Sequence, residues 1–441
     1  MSEDRGAQLA REVAARLRAA GYEAWLVGGC VRDRLLGRPV HDRDLTTNAT
    51  PRELRRLFPD ALEVGAHFGV VLVRKGGAEV QVATYRSESS YRDGRHPDEV
   101  RFETDVRADL ARRDFTINAL LEDPFTGEVV DHVGGLQDLE ARRIRAIGDP
   151  RRRFSEDHLR MLRAVRFAAE LGFEIEPATF AAIRELAPAI LRISAERIRD
   201  ELTRILTGNA PRRGFELLDQ TGLLEPILPE VARMKGVEQP PEYHPEGDVW
   251  THTLAMLGHL RGSPLDLAWG CLLHDVGKPV TQTFEDRIRF SGHEKAGADM
   301  ARRILERLRY PKELVERVEW LVAQHMRFKD ALKMSDATFK RFVRQPGFET
   351  LLELYRIDLA ASGRSMENYE AVLARLASIP PEALHPPPLL RGRDLVAMGY
   401  APGPAFSRAL KALEEEQLAG RIRTREEAEQ FVRRILGPPS T

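Results

Sequence analysis

The sequence predicts an α+β chain, with a mixed sheet and its helices at the front and an all-helical remainder behind. Three observations predict it. Short apolar segments of strand character are confined to the first 150 residues. Helical periodicity governs the rest of the chain, broken only by short Gly, Pro or Asn interruptions. With 441 residues the chain also exceeds the roughly 250–300 at which a single core stops growing, so several domains are expected.

Taken in order, QLAREVAARLRAAG has the spacing of an amphipathic helix, and AWLVGG, HDRDL, GVVLVRKG, EVQVATYR and DEVRF read as short strands with helices between them. From Phe154 to about Leu228 the pattern is helical with no strand candidate. The Pro- and acid-rich GVEQPPEYHPEGD (236–248) reads as a linker, a second helical block runs from Trp250 to Ala377, and IPPEALHPPP (379–388) marks another boundary. The division predicted is 1–150, 151–235, 236–380 and a helical tail over 388–441.

Composition bounds the function loosely. Its 67 Lys+Arg against 68 Asp+Glu leave a formal charge of -1, so any nucleic-acid site must be local. Two cysteines, Cys30 and Cys271, are too few for a disulfide framework. The N-terminus lacks the apolar core of a signal peptide and no apolar run of about 18 residues occurs, which reads as a soluble, cytoplasmic protein without a membrane partner.

Two constellations carry chemistry. In LVGGCVRDRLLG an apolar strand runs into Gly28-Gly29 and then a helix, so that backbone N–H groups can approach a triphosphate. In HDRDL, Asp42 and Asp44 stand at i and i+2 of a candidate strand, which places both carboxylates on one face, able to hold divalent metal. An isolated D-x-D reads equally as two solvated acids flanking Arg43. In the second constellation, His252, His274-Asp275 and Asp358, with His293 and His325 extending the set, bring imidazole and carboxylate donors to helical positions. A buried histidine bonded to its neighbour explains a single His-Asp pair; it does not explain the whole set. His244, in EYHPEGDVW, reads as a loop histidine outside it.

GGCVRD, DRDLTT, RRDFTINAL, EDHLRMLRAVRFAAEL and SAERIRDEL occur in this order, and together they resemble the class II CCA-adding enzyme and bacterial poly(A) polymerase family. GRDLVAMGYAPGPAF resembles that family's C-terminal segment, so the resemblance spans nearly the whole chain. It implies a polymerase-β-like nucleotidyltransferase head, a helical neck and body, an HD domain and a helical tail. It implies Asp42 and Asp44 as the catalytic pair holding Mg2+, and Gly28, Gly29, Arg32, Arg112, Arg113, Asp114, Asn118, Glu156, Asp157, Arg160, Arg163 and Arg166 as nucleotide-binding, with Asp114 accepting the ribose 2′-hydroxyl.

The family's protein template maps to Asp157 and Arg160, three apart on one expected helix, with Glu156 beside them. Asp only accepts and Arg only donates, so together they match the amino donor and ring-nitrogen acceptor shared by cytosine and adenine and oppose uracil and guanine. Read alone, the same two residues are a common surface pair. Nine arginines against three carboxylates over 142–166 form the one strongly basic window, suited to acceptor-stem phosphates.

The polar stretch SESSYRDGRHPDEVRF (87–102) resembles the family's flexible loop, which CC-only enzymes lack. One departure is Gln81, where many relatives carry Glu; Glu79 is its nearest substitute. The HD ligands imply a transition metal (Ni2+, Mn2+, Fe2+ or Co2+) and hydrolysis of phosphomonoesters or cyclic phosphodiesters. The function expected is addition of CCA to tRNA from CTP and ATP. The alternatives are an A-adding enzyme, a CC-adding enzyme, a poly(A) polymerase, an HD phosphohydrolase with a nucleotide-binding head, and a noncatalytic RNA-binding protein. Oligomeric state is not legible in the sequence.

Overall fold

In the computed structural model, residues 4–40, 42–64, 69–89, 99–240, 242, 245, 247–284 and 287–438 are described. They divide into two compact units, one of Met1–Ala232 with Leu260–Ser263 and Arg307–Tyr310, the other of Arg233–His259, Pro264–Glu306 and Pro311–Thr441.

The first unit is built on a seven-stranded mixed sheet in the order β3-β4-β5-β2-β1-β8-β9. Its strands are β1 (Trp25–Val27), β2 (Asp44–Thr47), β3 (Leu62–Glu63), β4 (Val70–Lys75), β5 (Ala78–Thr84), β8 (Leu121–Glu122) and β9 (Val129–Val130). β2 pairs antiparallel with β1 and parallel with β5, so Asp44 stands opposite Val27 on one side and Gln81 on the other. Alternation along β5 buries Val80, Val82 and Thr84 and leaves Glu79 and Gln81 exposed. α1 (Arg5–Ala19) covers the buried face through Leu9, Val13 and Leu17.

The two sides of the expected flexible loop are strands. β6 (Arg86–Ser89) pairs antiparallel with β7 (Glu99–Phe102), and residues 90–98 between them lie outside the described set. Around the sheet run α2 (Gly29–Leu35), α3 (Pro51–Leu57), α4 (Val106–Ala111) and α5 (Gly135–Glu140).

Helices α6 (Pro150–Glu156), α7 (Leu159–Leu171), α8 (Pro177–Leu186), α9 (Ala195–Leu206), α10 (Pro211–Gln220), α11 (Leu224–Ile227) and α12 (Pro229–Ala232) complete the unit. Two corrections fall here. The run expected to be helical throughout contains β11 (Glu174–Ile175), which pairs in parallel with β10 (Arg143–Ile144). The expected helix from Ser155 is broken at Asp157, whose backbone is extended.

Among its described residues the second unit is helical, as the periodicity predicts, apart from the antiparallel pair β12 (Thr283–Phe284) and β13 (Ile288–Arg289). Its helices are α13 (Val249–Leu257), α14 (Leu265–Leu273), α15 (Lys278–Thr281), α16 (His293–Arg307), α17 (Lys312–Gln324), α18 (Asp336–Val343), α19 (Phe348–Ala361), α20 (Glu367–Ala377) and α21 (Pro381–Leu384). The tail carries α22 (Gly392–Ala397), α23 (Pro404–Leu418) and α24 (Arg425–Leu436) around its own small core of Leu390, Leu395, Leu413 and Val432. No helix among the described residues is long and apolar enough to cross a membrane.

Candidate active site

At the end of β1 the chain turns through Gly28, whose φ of 86° is the conformation glycine adopts without strain, and enters α2. The backbone conformation, not lack of space, favours glycine here: a Cβ would sit at ordinary contact distance, 3.8 Å from Arg113 Nη1 and 4.0 Å from Asp44 Oδ2. Gly28, Asp44 and Arg113, far apart in sequence, therefore meet at one point.

Asp44 opens β2, while Asp42 and Arg43 precede the strand; the expectation of two carboxylates on one strand is corrected to one at its first residue and one just before it. Burial pushes the Asp44 carboxyl up, the Arg113 charge counters that, and neighbouring Asp42 adds to it. Two oxygen-donor acids, one of them short of compensating charge, fit a hard divalent cation. The position in register with Asp44 is Gln81, and Glu79 pairs with Arg74 at 2.6 Å, so neither supplies a third free carboxylate.

Arg112 and Arg113 diverge around a residue that the sequence motifs do not single out. Asp109, fully buried, accepts from Arg112 at 2.9 and 2.6 Å and from Arg113 at 3.3 and 3.1 Å. Although burial opposes its ionisation, the two guanidiniums hold its carboxyl below the ordinary carboxylate value. Its spacing of three and four residues before the arginines, on α4, is the helical signal that could have found it.

Asp114 is the hub of the site. Its Oδ1 accepts from its neighbour Phe115 N at 2.8 Å and Asn118 Nδ2 at 3.2 Å; its Oδ2 accepts from Arg163 Nε at 2.8 Å and Nη2 at 2.6 Å. A carboxylate offers about four acceptor positions, and all are taken. Burial works against the charge, yet the Arg163 guanidinium holds the carboxyl down at about 2. Asn118 in turn accepts from Arg32 Nη1 at 2.7 Å, linking Arg32 to the same chain of bonds.

The expected template residues do not pair along one helix. Asp157, in the break between α6 and α7, accepts from Arg197 of α9 at 3.2 and 2.8 Å. Arg160 donates to Glu156 at 2.9 Å and to the carbonyls of Arg153 and Arg112. Arg166 donates to buried Glu201 at 2.6 Å. Much of the basic window is therefore already paired within the unit: Arg145 with Asp138, Arg151 with Glu185, and Arg153 with Glu156.

In the second unit the histidines and aspartates named from sequence converge. Asp275 Oδ2 lies 3.0 Å from His274 Nε2, and its Oδ1 lies 3.5 Å from His293 Nε2 and 3.8 Å from His325 Nε2. His252 Nε2 is 3.2 Å from Asp358 Oδ1. Two triads result, His252, His274 and Asp275, and Asp275, His293 and His325, each with ligand atoms within 4.8 Å of one another.

Helix ends explain the aim of these rings. His274 and His325 follow directly on α14 and α17, where carbonyls lack intrahelical partners, and each Nδ1 donates to the carbonyl three residues earlier, Cys271 at 3.0 Å and Val322 at 2.7 Å. His293 does the same to Phe290 at 2.7 Å. Every Nε2 so fixed faces inward, as a metal-ligating imidazole requires. Burial and the neighbouring His274 push the His325 imidazole down to about 3, and burial also lowers His293. The His274 and Lys278 charges hold Asp275 well below the carboxylate range despite its burial. This donor set fits a transition metal. Lys278 Nζ, a site neighbour not foreseen, bridges Asp275 at 2.7 Å and Gln239 at 2.6 Å. His244 lies outside the described residues.

Comparison with known proteins agrees along the chain. Residues 24–145 match the poly A polymerase head domain, 172–235 the probable RNA and SrmB-binding site of polymerase A, and 248–373 the HD domain. The chain is 36% identical to the CCA-adding enzyme of Levilactobacillus brevis over 425 residues, 94% of each protein. It is 48% identical to that of Enterococcus faecalis over 199 residues, 45% of this chain and 49% of that one. Among solved structures, the Bacillus stearothermophilus CCA-adding enzyme in complex with CTP superposes with a TM-score of 0.72 at 27% identity, over 97% of both chains. The Thermotoga maritima CCA-adding enzyme complexed with tRNA shares the fold, with a TM-score of 0.61 at 19% identity over 97% of this chain and 94% of that one.

Proposed function

The chain belongs to the CCA-adding enzyme family, and on that premise we propose that it rebuilds the 3′-terminal CCA of tRNA from CTP and ATP without a nucleic-acid template, releasing pyrophosphate. The observation that carries this reading is the convergence of Gly28, Asp44 and Arg113, with Asp42 beside them, at the end of β1 and the start of β2.

In this reading Asp42 and Asp44 hold Mg2+, which when bound activates the attacking 3′-hydroxyl and neutralises the leaving pyrophosphate. The protein's own groups do the rest. Gly28 and Gly29 let the triphosphate approach the backbone, Arg112 and Arg113, steadied by Asp109, meet its phosphates, and Arg32 and Arg163 flank Asp114. The ribose 2′-hydroxyl takes the place on Asp114 of the Asn118 amide, the longest of its four bonds.

For base choice, Asp157 and Arg160 present an acceptor and a donor, and Arg197 and Glu156 set their directions. Glu156 is thus assigned to orienting Arg160 and Arg153 rather than to the base. The parts performing these tasks are a head over 1–150, a neck and body over 151–235, an HD domain over 236–380 and a tail over 388–441, working on tRNA in the cytoplasm.

A second reading is favoured by one specific observation, the paired triads around Asp275. We infer a metal-dependent phosphohydrolase in the HD domain, with His252, His274, Asp275, His293, His325 and Asp358 as ligands for Ni2+, Mn2+, Fe2+ or Co2+, acting on phosphomonoesters or cyclic phosphodiesters.

The test of the main activity uses tRNA transcripts ending before CCA, after C and after CC, with CTP, ATP or both, resolved at single-nucleotide length. Completion of all three to CCA, lost in Asp42→Ala, is the outcome expected. Extension of the CC end alone would replace it with A addition, arrest at CC with CC addition, and long A tails with poly(A) synthesis.

A further inference from the structure

Three guanidinium groups surround one phenyl ring at the nucleotide site. The Cζ atoms of Arg32, Arg163 and Arg166 lie 5.0, 5.3 and 4.0 Å from the centroid of Phe167, within cation–π range. Phe167 is 6% exposed, Arg32 5% and Arg166 7%, so little water competes for those two charges, while the Arg163 side chain is 32% exposed. Phe115 meets the ring edge-on, at 5.9 Å and 82°, and holds it in place.

The bonds these arginines make run through their edges. Arg32 donates to Asp33 and Asn118, Arg163 to Asp114 through Nε and Nη2, and Arg166 to Glu201 and Glu170. Edge bonds fix the direction of a planar guanidinium and leave its tilt free, whereas a contact with an aromatic face restricts the tilt. The electron-rich ring also eases the repulsion of the three like charges gathered around it. Among the described residues no hydrogen bond is made by Arg163 Nη1, so the arginine anchored to Asp114 keeps a donor edge for a ligand.

We propose that Phe167 is a positioning residue for the incoming nucleotide: its ring sets the tilt of Arg32 and Arg163 about Asp114, and so determines how tightly CTP and ATP are held. This rests on the assignment of Arg32, Asp114 and Arg163 to the nucleotide site. Phe167 touches no substrate in this role; it acts through the arginines. A leucine would fill much of the same apolar space while offering no aromatic face.

The test measures KM and kcat for CTP on tRNA ending before CCA and for ATP on tRNA ending in CC, with the thermal midpoint of each variant. Phe167→Leu is expected to raise both nucleotide KM values about tenfold, the loss of about 1.4 kcal/mol of uniform binding, with kcat within about twofold. Phe167→Tyr, which keeps the ring, is expected to stay within about twofold of wild type in KM.

Phe215→Leu, a fully buried change in α10, serves as the control for loss of packing alone: it is expected to lower the thermal midpoint and leave KM unmoved. Should Phe167→Leu not yield folded protein, Phe167→Met carries the same expectation, since its flexible chain also lacks the aromatic face. An unchanged KM in Phe167→Leu, equal shifts in the Leu and Tyr variants, or an equal shift in Phe215→Leu would overturn the proposal. Activity retained by Asp42→Ala would instead overturn the site assignment on which it rests.

Discussion

The nucleotidyltransferase site and the histidine–aspartate site are both charged and largely buried, yet they are held together by opposite means. In the first, beside the local pairs that Asp109 makes with Arg112 and Arg113 and Glu156 with Arg160, cations are fixed by carboxylates from distant parts of the chain: Arg163 and Asp114 are 49 residues apart, Arg197 and Asp157 are 40, and Arg166 and Glu201 are 35. In the second, three imidazoles are fixed by backbone carbonyls only three residues away. A site built from long-range ion pairs depends on the tertiary fold for its orientation. One built on helix ends carries much of its orientation in the local chain.

The largest effect expected from this contrast concerns Asp275, the ligand both triads share. Asp275→Ala should lower metal affinity by at least about 100-fold, because even the partners of metal ligands contribute roughly 10–100-fold. Metal content after dialysis should collapse, whereas His325→Ala should retain the His252, His274 and Asp275 triad. CCA addition should continue in both. Metal retained by Asp275→Ala would dissolve the comparison, since the cluster would then not be organised around one carboxylate.

A middle-sized effect is expected at Asp109. Asp109→Asn leaves two arginines without their shared charge, a change that costs about 3 kcal/mol when the lost partner is buried. The denaturation midpoint should fall and the KM for both nucleotides should rise together. A fall in stability with unchanged KM would show that Arg112 and Arg113 find their directions without it.

The smallest effect is a pH dependence. Asp114 is held at about 2 against an ordinary 3.8, so its charge contributes stability above about pH 4 and loses it as the pH falls toward 2. The shift corresponds to about 2 kcal/mol. The stability difference between wild type and Asp114→Asn should be constant from about pH 5 to 7 and shrink between about pH 4 and 2. A difference that does not change with pH would mean that packing, and not charge, ties Asp114 to Arg163.

The same contrast explains how much of the molecule is legible in the amino acids alone. β1, β4 and β5 follow from apolar runs bounded by glycine, and the HD ligands from histidines and aspartates at helical positions. The break at Asp157 is not legible, because Glu156, Asp157, His158 and Leu159 include neither Gly nor Pro and the segment reads as continuous helix. β11 is only two residues long and exists through its pairing with β10. Asp109, Arg197, Glu201 and Phe167 escape for a common reason: each acts through a partner, so its role appears only when the partner is in view. Arg197 and Glu201 stand within SAERIRDEL, a motif that carries the family resemblance by its order in the chain and not by any contact.

The donation of His274, His293 and His325 Nδ1 to carbonyls has a consequence for metal binding. A carbonyl only accepts, so each ring keeps its hydrogen on Nδ1, and Nε2 is the nitrogen committed to a metal. The fold has made the choice of ligating nitrogen before any ion arrives.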